Sequence, residues 1–526
     1  MRRRFGAAIA AFLVLGGVLR TIQYAGQVSL WHDELAIARN INDREIGDLV
    51  TRPLDHRQVA PAGFLVAVKT ATEIIGVDEL GLRVVPWLAG LLSLLLFRRV
   101  AARFGTGAPL LAGVAIFAVS PAMIWYGASV KQYGTDVTVS LFLVWLALRF
   151  QEHPDRLARA TIAGIAGGAA ILFSHPAVVT AFVLGSVLAA CGRAERRSRA
   201  WLSLASLGAG WGVGALIAAT SAMRLLDPGT DRFMEGFWRE GFPPPLSDPL
   251  ALVTWMPREL FSAFAHSLIF FTPLPLVLLL VVPVAVVAVL GFSTAMRLHP
   301  WRTALLSAPI AAGGAAAAAG LLPFRQRLAL HAVWPILVFA VAGLQSLETW
   351  LRARRPRLAI AAPLLVAAPL TLIVLLAARP PYDSGQETRP IIAELARRWR
   401  AGDALYVYCS ARHAIAFYGP RHGLDVWTAH DCNYDNPRAY LREVDVFRGR
   451  GRVWFFSMLF AREDATMVRA YLRAIGREEE IISGVSVAGE GARIIDVYRY
   501  DLSDRAKLDA TTAAEFPWPA TSGRAR

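Results

Sequence analysis

Apolar runs long enough to cross a bilayer, roughly 20 residues each, recur along this chain and leave it little choice of fold. They lie near 5–26, 81–101, 107–127, 134–150, 200–223, 263–292, 302–322, 327–348 and 358–378. The apolar stretch between about 160 and 190 is too long for one ordinary helix and is broken at Ser174-His175-Pro176. It predicts two short helices in a hairpin, with the proline opening the second. The chain therefore reads as a polytopic α-helical membrane protein with about 11 transmembrane helices. Composition agrees: 55% of the 526 residues are hydrophobic, 18% are charged and the mean hydropathy is +0.43, too apolar for a soluble globule.

Charge gives the sidedness. A net charge of +15 could suggest a nucleic-acid partner, but the arginines fall in short clusters between apolar runs, the pattern of cytoplasmic loops. With the N-terminus inside, the cytoplasmic clusters are Arg2 to Arg4; Arg98, Arg99 and Arg103; Arg149, Arg156 and Arg159; Arg193, Arg196, Arg197 and Arg199; Arg297 and Arg302; and Arg352, Arg354, Arg355 and Arg357. The first outer loop, 28–80, carries five basic residues (Arg39, Arg44, Arg52, Arg57, Lys69) against nine acids (Asp33, Glu34, Asp43, Glu45, Asp48, Asp55, Glu73, Asp78, Glu79). Counting 61–76 as a span would invert every later loop, so it predicts an interfacial helix on the outer face. The first apolar run lacks a small-x-small cleavage site and is expected to be retained as a helix.

Residues 1–379 are thus expected to form the membrane domain, with 28–80 as its first outer loop. The composition then becomes that of a soluble α/β domain over 380–510, on the outer side, followed by a disordered tail over 511–526. Within that domain the pattern predicts a helix over 389–399, strands over 404–408, 453–456 and 494–500, and a helix over 464–475. No glycine-rich phosphate fingerprint follows these strands, so nucleotide binding is not expected. Three cysteines are too few for a disulfide scaffold or a cysteine-ligated metal. Cys409 and Cys432 could be bridged in an oxidising compartment or remain two buried thiols.

If the topology holds, polar groups at the ends of distant spans converge on one face. They are Asp33 and Glu34; His56 and Gln58, with Asp55 and Arg57; Lys131, Tyr133 and Asp136, with Gln132; His175; and Arg325 and Arg327, with Gln326. Ionisable groups beside a membrane cavity are costly and so are functional candidates. For any one of them a snorkelling cation or a helix-capping acid is the simpler account. As a set their chemistry is coherent. A carboxylate such as Asp33 can activate an acceptor hydroxyl or amine, and Lys131, Arg325 and Arg327 can stabilise a leaving phosphate. No Gly-x-Ser-x-Gly or Cys/His arrangement offers a nucleophile. A divalent metal could be held by Glu34 and His56, joined by Asp33 and His175, although their spacing is not diagnostic.

Trp31-His32-Asp33-Glu34, Gln58 to Leu65, Leu82-Arg83, Ser120-Pro121, Lys131 to Asp136, Pro323 to Arg327, and Arg389-Pro390 to Asp403 form a set of motifs. Together they resemble the GT-C superfamily of polyprenyl-phosphate-sugar-dependent membrane glycosyltransferases. The nearest likeness is to the branch of protein mannosyltransferases, aminoarabinose transferases and lipopolysaccharide-core transferases. The resemblance implies an inverting transfer from a polyprenyl-phosphate carrier to a glycolipid, glycan or protein acceptor of the cell envelope. The site would lie on the outer face of the cytoplasmic (inner) membrane. It further implies Asp33 as base, Glu34 positioning the acceptor or tuning that base, Lys131 and Tyr133 facing phosphate and sugar, and Arg325 or Arg327 holding the lipid phosphate. Where many relatives carry an acid two residues before the cation of the second outer loop, this chain has Ser129, with Asp136 a substitute. Two rivals predict different behaviour. A transporter or flippase of lipid-linked precursors would show internal repeats, which are not seen. A non-catalytic envelope-assembly protein would tolerate Asp33→Asn and fail on loss of its C-terminal domain.

Overall fold

A computed structural model of the chain describes residues 2–194, 200–268, 274–355, 358–359, 361–377, 380–382, 385–425, 427–428, 438–458, 463–484, 495–509 and 511–517. They form two compact units. The first comprises Met1–Gln27 and Asn40–Tyr382; the second comprises Val28–Arg39 and Asp383–Arg526. The last boundary between them falls at Tyr382 and Asp383. The assignment of Val28–Arg39 to the second unit departs from the expectation that all of 28–80 belongs to the membrane domain.

The first unit is helical: α1 (Arg2–Ala25), the end of α2 (His32–Asp43), α3 (Ile46–Thr51), α4 (Ala62–Ile75), α5 (Glu79–Ala101), α6 (Gly107–Val119), α7 (Pro121–Tyr126), α8 (Tyr133–Glu152), α9 (Leu157–Ile171) and α10 (His175–Ala194). It continues with α11 (Trp201–Leu225), α12 (Pro228–Phe237), α13 (Pro249–Leu268), α14 (Leu274–Leu298), α15 (Pro300–Ala318), α16 (Trp334–Arg354) and α17 (Ala361–Ala377). Among the described residues, seven helices are long and apolar enough to cross a membrane, those at Arg4–Ala25, Glu79–Ala101, Tyr133–Glu152, His175–Ala194, Trp201–Leu225, Val281–Leu298 and Trp334–Arg354. Gly107–Val119 and Leu157–Ile171 are shorter apolar helices. The expected count of eleven is not reproduced by length and composition. The hairpin at 160–190 forms as α9 and α10, opened by His175-Pro176.

Three boundaries differ from the apolar runs for local reasons. The run 107–127 is divided at Ser120-Pro121, where proline takes the first position of a new helix. The run 263–292 falls on two helices, α13 ending at Leu268 and α14 beginning at Leu274. The run from 327 opens with a 3-10 turn, Gln326–Ala332, before α16 starts at Trp334.

Close helix packing in this unit rests on glycine. Gly164 and Gly168 of α9 face Gly210 and Gly214 of α11. A Cβ on Gly168 would collide with the Gly210 carbonyl, and one on Gly214 with the Gly168 carbonyl. Two small-x3-small pairs thus meet backbone to backbone, the arrangement favoured where lipid offers no hydrophobic drive for association. Beside them Trp211 donates from Nε1 to the Ala163 carbonyl at 3.2 Å. Arg20 of α1 is fully buried and donates to the Ala118 carbonyl at 2.9 Å, so a cation closes the C-terminus of α6 where the chain turns into α7.

The second unit contains a mixed four-stranded sheet of order β1-β2-β4-β3, from β1 (Ala404–Val407), β2 (Val453–Met458), β3 (Arg477–Gly484) and β4 (Ile495–Asp501). β1 and β2 are parallel; the other pairings are antiparallel. The helices are α18 (Thr388–Arg398), α19 (Arg412–Tyr418), α20 (Ala439–Asp445), α21 (Glu463–Ile475) and the single turn α22 (Arg505–Leu508). Tyr406, Val453, Phe455, Tyr471, Leu472, Ile475, Tyr498 and Tyr500 share the core. β3 is absent from the expected elements because its start, Arg477-Glu478-Glu479-Glu480, has no apolar alternation. Its charge suits an edge strand, which must resist further pairing. The expected disorder from residue 511 is corrected for 511–517: Ala513 is buried and the Phe516 ring meets Tyr471 edge-on at 5.1 Å. Cys409 is buried; Cys432, Arg196, Arg197, Arg199 and Arg357 lie outside the described residues.

Candidate active site

Within the first unit, the loop 52–61 is held from both sides. Asn40 and Asp55 exchange two hydrogen bonds, Asn40 Nδ2 to the Asp55 carbonyl at 3.2 Å and the Asp55 N–H to Asn40 Oδ1 at 2.8 Å. Arg44 pairs with Asp55 at 2.7 Å and donates to the Pro53 carbonyl at 2.8 Å. This fixation keeps His56 and Arg57 in the left-handed region, φ 65° and 55°. Such backbone costs on the order of 1–3 kcal/mol per residue and persists only where its surroundings over-determine it. Arg57 lies over the Phe233 ring at 4.7 Å. Gln58 donates to the His56 carbonyl at 3.1 Å and accepts from Lys131 Nζ at 2.6 Å.

Lys131 is buried in the turn between α7 and α8. Gly134 permits that turn, since a Cβ there would collide with the Tyr126 carbonyl. Two residues after Lys131, Tyr133 accepts from Arg327 Nε at 3.4 Å and packs edge-on to Tyr126 at 5.3 Å. One turn further, Asp136 is buried with Ser174 facing its carboxyl, and His175 faces the Ala60 carbonyl. The chain nearby is tied by the Gly63 N–H, which donates to the Leu172 carbonyl at 3.0 Å. Loop 52–61, the Lys131 turn, the Ser174 break and the Arg327 segment therefore meet through successive contacts. Thr135 Oγ1 and His175 Nε2 are buried there without a hydrogen-bond partner among the described residues, beside the buried Asp136–Ser174 pair. Buried polar atoms are normally satisfied, so this cluster calls for an explanation.

Arg325 and Arg327 part company. Gln326 between them has φ 42°, turning the chain so that the two side chains leave in different directions. Arg325 lies between Glu240 at 2.5 Å and Glu259 at 3.6 Å, with Arg258 also on Glu259 at 3.2 Å. Arg327 lies against aromatic faces instead, 4.9 Å from the Trp238 centroid and 5.9 Å from Tyr133. Trp238, Glu240, Glu259 and Ser174 are partners that the sequence did not single out. The signal for Trp238, Glu240 and Glu259 is acids and tryptophan within 226–268, a segment otherwise read as loop and span; Ser174 figured only as a helix break.

In the second unit, Asp33 stands half-buried in the first turn of α2. Glu34 is buried, and its Oε2 accepts from the Trp31 N–H at 3.3 Å. It reaches back to the residue before the helix, the return half of a capping box. The His413 ring meets His32 at 5.3 Å and accepts at Nδ1 from Arg39 at 3.3 Å. Among the described residues, no three His, Cys, Asp or Glu side chains group as they would around a metal ion.

No protein-family profile and no curated protein matches the chain. Solved structures do. ArnT from Cupriavidus metallidurans in the apo state is 16% identical with a TM-score of 0.53, over 94% of this chain and 97% of that one. The same protein bound to undecaprenyl phosphate gives 15% and 0.51 over the same shares. The Archaeoglobus fulgidus oligosaccharyltransferase in the apo form gives 11% and 0.51, over 89% of this chain and 73% of that one. At these identities the likeness is one of fold, which this chain shares with ArnT and with the archaeal oligosaccharyltransferase.

Proposed function

We propose that the protein transfers a sugar from a polyprenyl-phosphate carrier to a cell-envelope acceptor, with inversion, at the outer face of the cytoplasmic membrane. Asp33 takes the proton of the acceptor hydroxyl or amine, whose oxygen or nitrogen attacks the anomeric carbon. The bond from that carbon to the phosphate oxygen breaks, and its electron pair leaves on the phosphate. Lys131 and Arg327 balance the charge that grows there. Arg325, between two carboxylates, serves instead to hold the 323–327 segment. Tyr133, His56 and Gln58 line the cationic region, Asp136 and His175 receive sugar hydroxyls, and Glu34 fixes the turn that carries Asp33.

The observation that carries this proposal is the cluster of buried polar groups at Thr135, Asp136, Ser174 and His175, of which Thr135 Oγ1 and His175 Nε2 have no hydrogen-bond partner among the described residues. It adjoins the Lys131–Gln58 pair and is suited to a polyhydroxylated ligand. The fold supports it, because the similar ArnT was solved with undecaprenyl phosphate bound. Mass spectrometry of envelope glycoconjugates from cells carrying wild type or Asp33→Asn tests it. Loss of general-base catalysis lowers transfer about 10²–10⁴-fold, so one glycoconjugate disappears while the variant stays in the membrane. Unchanged products in that variant refute the proposal.

A further inference from the structure

The segment carrying Asp33 has an unusual problem of backbone satisfaction. Residues 28–31 run without regular structure into the N-terminus of α2, where N–H groups have no partner in the helix. Three of them, at Ser29, Leu30 and His32, are met by residues more than three hundred positions away. The Ser29 N–H donates to Glu387 Oε1 at 3.1 Å, and the Ser29 hydroxyl donates to Glu387 Oε2 at 2.9 Å. The Leu30 N–H donates to the Tyr418 hydroxyl at 2.9 Å, and the His32 N–H donates to Gln386 Oε1 at 2.8 Å. The Ser29 hydroxyl oxygen in turn accepts from the Arg389 N–H at 3.1 Å. The Trp31 N–H is met locally, by Glu34.

Each of these side chains is itself anchored. Glu387 and Gln386 immediately precede α18, and Tyr418 ends α19 with its ring fully buried. Leu30 is also fully buried. On α2, His32 and Arg39 lie seven residues apart and so on one face, and both meet His413 of α19. The segment is therefore gripped along its backbone before the helix and along one face within it. Asp33 lies between the two grips.

We infer that Gln386, Glu387 and Tyr418 are positioning residues for Asp33. On this account the C-terminal unit is part of the catalytic apparatus, because it sets the backbone from which the general base projects. The inference rests on the proposed transferase activity. It goes beyond it in assigning function to residues that touch neither sugar nor phosphate. Charge-assisted bonds to Glu387 are the strongest of the set, so Glu387 is the residue to test first.

Hydrogen exchange of the full-length chain in detergent micelles needs no substrate and reads the grip directly. Glu387→Ala is expected to speed exchange in peptides covering residues 28–33 at least tenfold, with exchange in β1 and β2 as in wild type. In cells the same variant is expected to lower the yield of the glycoconjugate at least tenfold. Glu387→Gln, which keeps an acceptor oxygen for the Ser29 N–H, is expected to restore more than half of it. Tyr418→Phe removes a single oxygen and gives a milder version of both effects if Glu387→Ala accumulates poorly. Unaltered exchange at 28–33 in both variants overturns the inference, as does wild-type product yield despite fast exchange. The two levels separate cleanly. Full product with Asp33→Asn defeats the transferase proposal itself, whereas a dead Asp33→Asn beside a fully active Glu387→Ala defeats only the positioning role.

Discussion

The two units solve the problem of close packing in opposite ways. Where α9 meets α11, the contact is made by removing side chains: Gly164, Gly168, Gly210 and Gly214 bring backbones together. In the C-terminal sheet the contact is made by adding them, with Trp454, Tyr406, Tyr471, Tyr498 and Tyr500 filling the interior. Several of these aromatics carry a polar end to a carboxylate: Tyr406 donates to Glu443 at 2.8 Å, Tyr500 to Glu478 at 2.7 Å, and Trp454 Nε1 to Asp403 at 2.7 Å. The difference follows from the surroundings. In lipid, apolar side chains gain little by leaving the solvent, so van der Waals contact between backbones decides association. In water, each large apolar surface buried contributes directly.

Three measurements would break or sharpen this contrast. Trp454→Ala should have the largest effect. It empties a fully buried site and removes one of the bonds to Asp403, which Arg452 still pairs, for a loss of about 3–5 kcal/mol. Limited proteolysis should then cut the C-terminal unit while the membrane helices stay protected; equal protection of both would mean that the aromatic core is not what holds this unit. Gly168→Leu comes next, at about 3 kcal/mol through overpacking against the Gly210 backbone. Gly212→Leu on the same helix meets nothing within 4 Å and should stay within about 0.5 kcal/mol of wild type in a thermal-melting assay in detergent. If the two melt alike, glycine contact is not the basis of the α9–α11 pair.

The smallest effect is electrostatic. Arg473, above all, with Arg469 and the Tyr500 hydroxyl, holds the Glu478 carboxyl down to about 2, against burial, which raises it. A carboxylate depressed on folding stabilises the folded state above its ordinary value of 4.5, and that contribution is lost as the pH falls toward 2. Glu478→Gln should therefore flatten the acid limb of the domain's stability between those values, with its largest loss of stability above 4.5 and the least near 2. An unchanged acid limb would show that the β3–β4 charge ladder is solvated rather than structural.

Much of the first unit was legible because membrane insertion writes itself locally. The hairpin break at Ser174-His175-Pro176 and the divide near residue 380 follow from hydropathy and proline alone. The β3 strand was not legible, since an edge strand faces water and carries charge where alternation would be sought. The role of Glu34 was half legible: an acid at a helix start can cap it or do chemistry, and its bond to the Trp31 N–H shows the capping. Arg325 and Arg327 look equivalent in the sequence and are not, because the left-handed Gln326 sends them to different partners. The small-x3-small pairs could have been found by inspection, but nothing in either helix says which faces which.

By itself the sequence determined that this chain enters a membrane many times, keeps its arginines in short clusters between spans and ends in an α/β domain. These are properties of contiguous segments, set by transfer free energy and helix or strand periodicity. Only the tertiary structure decided that residues 28–39 are held by side chains from 386 to 418, and that Lys131 meets Gln58. Hydrogen bonds between positions hundreds of residues apart depend on how elements fold together, and leave no periodic trace in the chain that forms them.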